Sequence, residues 1–91
     1  MEPIKIIIIE DHPLFRQGVA DTLAIDPRLQ VIGQASHGDK GLEMILSLKP
    51  DIAVIDINLP VMNGQQITHE VTLDRVPTRV ILMTAYDDGE Q

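Results

Sequence analysis

Three short aliphatic runs, at 6–9, 52–55 and 80–83, show no alternation of apolar and polar side chains. A strand with one wet face alternates, whereas a strand covered on both faces does not. The β-branched run Ile6, Ile7, Ile8, Ile9 therefore predicts an interior strand. Each run closes on a polar residue: Glu10 and Asp11 after the first, Asp56 after the second, Thr84 after the third. If the strands are parallel members of one sheet, these side chains meet at one edge. Three carboxylates gathered there repel one another unless a divalent cation joins them. Oxygen donors without sulfur or clustered imidazole point to Mg²⁺ rather than zinc.

The segments between the runs read as helices and one weaker strand. Asp11 or His12 can cap a helix with Pro13 in its first turn and Phe15, Val19 and Leu23 on one face, ending at Asp26 and Pro27. Val31, Ile32 and Ala35, interrupted by Gly33, suggest an edge strand. Gly38–Leu48 reads as a second helix with Leu42, Ile45 and Leu46 inward and Pro50 as its stop. Leu59-Pro60 and Asn63-Gly64 punctuate a loop, and a third helix should start near Gly64, turn Ile67 and Val71 inward and finish before Pro77. Strand and helix alternate three times before a last strand, which predicts an α/β fold with a doubly wound parallel sheet. Right-handed crossovers favour the strand order 2-1-3-4. Strands one and three are then neighbours whose connections leave toward opposite faces, and ligands of open α/β sheets bind at the carboxyl ends of strands beside such a point.

At 91 residues the chain holds one small domain. The absence of cysteine excludes disulfides, thiolate metal sites and thiol nucleophiles. A net charge of −7 opposes nucleic-acid binding by this chain itself. No apolar run is long enough for a bilayer, and the residues after Lys5 lack a secretory cleavage pattern, so a cytoplasmic protein without membrane partners is expected. The apolar run at 80–83 asks for neighbours on both faces, although few residues follow Thr84. A domain that continues beyond this sequence is therefore expected.

The segments Ile7-Ile8-Ile9-Glu10-Asp11-His12-Pro13, Val54-Ile55-Asp56-Ile57-Asn58-Leu59-Pro60 and Leu82-Met83-Thr84-Ala85 lie at mutual distances that resemble the receiver domain of two-component response regulators. The stretch from Glu10 to Gly18 is most similar to regulators of the NarL/FixJ type, which carry a helix-turn-helix output domain. The resemblance implies a flavodoxin-like fold, with residues 1–91 forming the N-terminal part of a receiver. It implies a non-enzymatic phosphorelay module whose Asp56 accepts a phosphoryl group from a sensor histidine kinase. Mg²⁺ would be held by Glu10, Asp11, Asp56 and the backbone carbonyl of Asn58. Thr84 would be the switch hydroxyl with small Ala85 beside it, and Pro60 with Met62, Asn63 and Gly64 would shape the rim. DNA would be reached through an output domain that this chain lacks. A carboxylate attacking phosphorus needs its charge and that of the phosphate neutralised, which agrees with these roles.

The family also uses a lysine and a switch aromatic on a fifth strand. No lysine here matches: Lys5 opens the first strand, and Lys40 and Lys49 belong to the second helix. An alternative reading is accordingly an interaction fragment, deficient in phosphorylation, that associates as a homodimer or domain-swapped oligomer through the fourth-strand edge. His12 reads as a loop residue of the motif, His37 and His69 as surface residues, and Tyr86 either as a residue that tunes access to the pocket or as a partly exposed aromatic. A metal-dependent phosphohydrolase would need a second acid where Asn58 stands. A calcium loop fails at Leu59-Pro60, and no phosphate-cradling glycine loop is present.

Overall fold

The computed structural model describes residues 2–84. Its elements follow the order β1 (Ile4–Ile9), α1 (Pro13–Ala24), β2 (Leu29–Ala35), α2 (Gly38–Leu48), β3 (Ile52–Asp56), α3 (Gly64–Leu73) and β4 (Arg79–Met83). The strands form one parallel sheet in the order β2-β1-β3-β4, a flavodoxin-like α/β arrangement.

Side-chain parity divides the core between the two faces of the sheet. Ile7 and Ile9 of β1 with Ala53 and Ile55 of β3 point toward α2 and α3, where Ile45, Ile67 and Val71 complete a buried cluster. Ile6 and Ile8 point the other way, toward Ala20 of α1, with Val19 and Leu23 packed alongside. This two-sided cover explains why β1 carries four consecutive isoleucines, none more than 2% exposed. Among the described residues the second face is covered by α1 alone, and Ile52 and Val54 of β3 are half-buried.

Local signals end the helices where chain geometry requires it. Pro13 occupies the first turn of α1, whose N-cap residue is His12, and Asn63 caps α3 in a reciprocal capping box with Gln66. Lys49 terminates α2 with left-handed backbone ahead of buried Pro50. The β2 strand begins at Leu29, two residues earlier than Val31. Its pairing with β1 slips between Ile6 and Ile7, so Ile32 is passed over and Gly33 lies opposite Ile7. Met44 occupies the space that a Gly33 side chain would need.

At the amino ends of the strands, Asp51 ties the sheet together. Its carboxylate accepts from the Lys5 amide at 2.8 Å, and its carbonyl accepts from the Arg79 amide at 3.0 Å. Nearby, the buried Thr78 hydroxyl donates to the Pro50 carbonyl at 2.7 Å.

Candidate functional site

Ile9 of β1 pairs with Ile55 of β3, and Asp56 pairs with Met83 of β4. Glu10 therefore leaves β1 beside Asp56, and Thr84 follows the residue opposite Asp56. The Glu10 amide donates to the Ala35 carbonyl at 3.0 Å, and the Ile57 amide donates to the Met83 carbonyl at 2.9 Å, so hydrogen bonds fix the sheet edge on both sides of the cluster.

Glu10 is fully buried and Asp56 is 1% exposed, an unusual pairing of acids in a small core. One ligand atom from each of Glu10, Asp11, His12 and Asp56 can be chosen so that all lie within 4.8 Å of one another. The Asn58 amide donates to Asp56 Oδ1 at 3.0 Å. Asp56 Oδ2 and Glu10 Oε1 are buried and have no hydrogen-bond partner among the described residues. The other Glu10 oxygen, Oε2, accepts from the His12 amide at 2.8 Å and pairs with His12 Nδ1. His12 Nδ1 also lies 3.1 Å from Asp11 Oδ1. Arg16 donates to the Glu10 carbonyl at 2.8 Å, which keeps the turn from β1 into α1 close to the site.

The electrostatics follow from burial. Desolvation pushes the Glu10 carboxyl above its usual range; hydrogen bonds from the amide and ring of His12 work against that shift, and the Asp56 charge adds to it. The hydrogen bond to Glu10 raises the His12 imidazole above its ordinary value, and the Asp11 charge works in the same direction. Orphaned buried carboxylate oxygens are costly unless a cation compensates them, and an all-oxygen set suits a hard divalent ion. The residues present therefore fit Mg²⁺. The His12 ring is occupied by Glu10 and is the wrong donor type for that ion.

The structure thus brings together Glu10, Asp11 and Asp56, with Thr84 at the end of β4 and the Asn58 amide on Asp56. Asn58 itself is an exposed loop residue whose amide reaches the cluster. His12, read from the sequence as a loop residue, lies against Glu10; the i, i+2 spacing from a buried acid was the available signal. The rim is tight at Gly64, where a Cβ would come 3.1 Å from the Asp56 carbonyl oxygen and 2.8 Å from the Leu82 side chain. Ala85 and Tyr86 lie outside the described residues.

A family model described as the response regulator receiver domain matches residues 6–91. The chain is 38% identical over 87 residues to the transcriptional regulatory protein NarL of Mycobacterium tuberculosis, covering 96% of this chain and 40% of that protein. It is 34% identical over 89 residues to the nitrate/nitrite response regulator NarL of Escherichia coli, covering 98% of this chain and 41% of that protein. This chain thus spans about two fifths of the length of these curated relatives. A solved structure of the signal receiver domain of M. tuberculosis NarL matches with a TM-score of 0.91 at 37% identity, covering 98% of this chain and 72% of that one. No helix among the described residues is long and apolar enough to cross a membrane.

Proposed function

This chain belongs to the response regulator receiver domain family, and from that premise we propose that Asp56 accepts a phosphoryl group from the phosphohistidine of a sensor histidine kinase. The observation that carries the reading is the division of labour on one carboxylate: Oδ1 is held by the Asn58 amide while buried Oδ2 has no partner among the described residues. An electron pair on Oδ2 forms the new O–P bond as the P–N bond to the donor imidazole breaks, and the leaving pair returns to that ring. Glu10, Asp11, Asp56 and the main-chain carbonyl of Asn58 are the groups that would hold Mg²⁺, which when bound neutralises charge on the carboxylate and the phosphate.

The acyl phosphate adds negative charge and acceptor oxygens beside Thr84, whose hydroxyl is the proposed switch donor. Similarity to two NarL regulators supports transcription control through a DNA-binding output domain in the parent protein. Labelling by acetyl phosphate tests the reading. The chain should gain one phosphoryl group with Mg²⁺ present and none with a chelator, and labelling insensitive to Mg²⁺ would contradict the assigned site.

A specific observation favours a second reading, association with another copy of the chain. Among the described residues β4 pairs only with β3, and Ile81 and Leu82 are 50% and 39% exposed on it. An apolar strand edge of this kind is a template for pairing, by edge addition or domain swapping.

A further inference from the structure

His12 is the N-cap residue of α1, yet its side chain makes no capping hydrogen bond. A polar side chain at this position ordinarily accepts from the first turn of its helix, and losing that contact costs about 1 kcal/mol. The imidazole turns back toward the sheet instead. Its Nδ1 pairs with Glu10 Oε2, and the His12 amide donates to the same oxygen at 2.8 Å. A carboxylate only accepts, so the ring nitrogen is the donor to ionised Glu10. The His12 side chain is 54% exposed, and core packing therefore does not account for its placement.

Glu10 is held from the start of α1 at both its main chain and its side chain. Arg16 donates to its carbonyl at 2.8 Å, while the two His12 groups occupy Oε2. The other oxygen, Oε1, is buried and has no hydrogen-bond partner among the described residues. Two donors on one oxygen thus leave the other as the one that Glu10 can offer a cation. Groups that hydrogen-bond a metal ligand fix its orientation, and their removal costs about 10–100-fold in metal affinity.

We propose that His12 is a positioning residue for Mg²⁺, whose ring holds Glu10 so that Oε1 is presented to the ion, at the expense of a capping bond in α1. The inference rests on reading Glu10 as a ligand of the Mg²⁺ that serves Asp56. His12 acts in this role without touching the ion. Nδ1 also lies 3.1 Å from Asp11 Oδ1, so Glu10 and Asp11 are the two acids to be told apart.

The test is Mg²⁺ titration of the full chain at constant pH, followed by amide shifts, on wild type, His12→Ser and His12→Asn. Serine and asparagine are comparable N-cap residues, but only the asparagine amide extends as far as Nδ1. His12→Ser should keep the fold and bind Mg²⁺ about tenfold more weakly, with a shifted Glu10 carboxyl carbon resonance. His12→Asn should bind nearly as wild type, with that resonance restored. Unchanged affinity in His12→Ser, or an affinity in His12→Asn as weak as in His12→Ser, would overturn the proposal. Weaker binding with an unmoved Glu10 resonance would do so as well, because the effect would then pass through Asp11. Failure of His12→Ser to fold would make the ring a structural element and likewise overturn it. Wild-type protein that binds no Mg²⁺ would instead defeat the metal-site reading itself.

Discussion

Replacing glycine by alanine should have opposite effects on α1 and α2, and the structure supplies the magnitudes. Gly18 lies inside α1 and is exposed, and outside its own helical turn nothing comes within 4 Å of the position its Cβ would take. Gly18→Ala should therefore stabilise the fold by about 0.8–1.0 kcal/mol, the helix-propensity difference. Gly41 is buried where α2 crosses β1, and its Cβ would meet three Ile9 side-chain atoms, Cδ1 at 2.2 Å, Cγ1 at 2.6 Å and Cγ2 at 3.0 Å. Rotation about the outer bond of Ile9 moves Cδ1 but relieves neither γ carbon, so the helix must shift. Overpacking of this kind costs about 1–3 kcal/mol. The gain in propensity offsets about 1 kcal/mol of that. A net loss of up to about 2 kcal/mol is expected for Gly41→Ala, and such a difference shifts the melting temperature by about 4–8 °C per kcal/mol in a domain of this size. Urea titration of both variants should move the midpoints in opposite directions at unchanged slope. If Gly41→Ala is as stable as Gly18→Ala, the close approach of α2 to β1 is not a constraint on this fold.

Asp56→Asn should raise the melting temperature of the metal-free protein. The substitution removes one of two buried acids and sets an amide donor beside Glu10, a gain of about 1 kcal/mol against the desolvation of an unpaired group; a lower melting temperature in chelator would contradict it. The side chain and amide of Arg28 hydrogen-bond Asp26 and lower its carboxyl to about 2. The stabilisation from that depressed value is complete above the ordinary carboxylate range and is lost as pH falls through about 2. A carbon-13 titration should show that midpoint, and an ordinary midpoint would show that the pair does not persist in solution. Sedimentation across a concentration series should show dimers or larger species, shifted toward monomer by Ile81→Lys; a strictly monomeric wild type at high concentration would mean that the β4 edge is covered.

Features set by composition over a few residues were legible in the sequence. The bounds of α2 coincide with the span between Gly38 and the stop before Pro50, and β1 is interior as its unbroken isoleucines require. Glu10, Asp11 and Asp56 were legible as a cluster because parallel strands of known order bring their carboxyl ends together. Features set by three-dimensional neighbours were not legible. Ala20, rather than Phe15, is the buried residue of α1, because close helix-to-sheet approach selects a small side chain. The early start of β2 depends on its pairing with β1 and on the slip that passes over Ile32. The positive φ of Val61, 66° in the loop from Asp56 to α3, was not legible either, because a β-branched residue predicts the opposite.

One carboxylate, Asp56, is proposed to accept the phosphoryl group. Intact-mass measurement after incubation with acetyl phosphate and Mg²⁺ tests it most directly, on wild type, Asp56→Asn and Asp51→Asn. Asp51 provides the control because it is an exposed acid at the opposite end of the same strand region. Wild type and Asp51→Asn should each gain a single phosphoryl group that hydroxylamine removes, and Asp56→Asn should gain none. Equal labelling of Asp56→Asn and wild type would contradict the assignment.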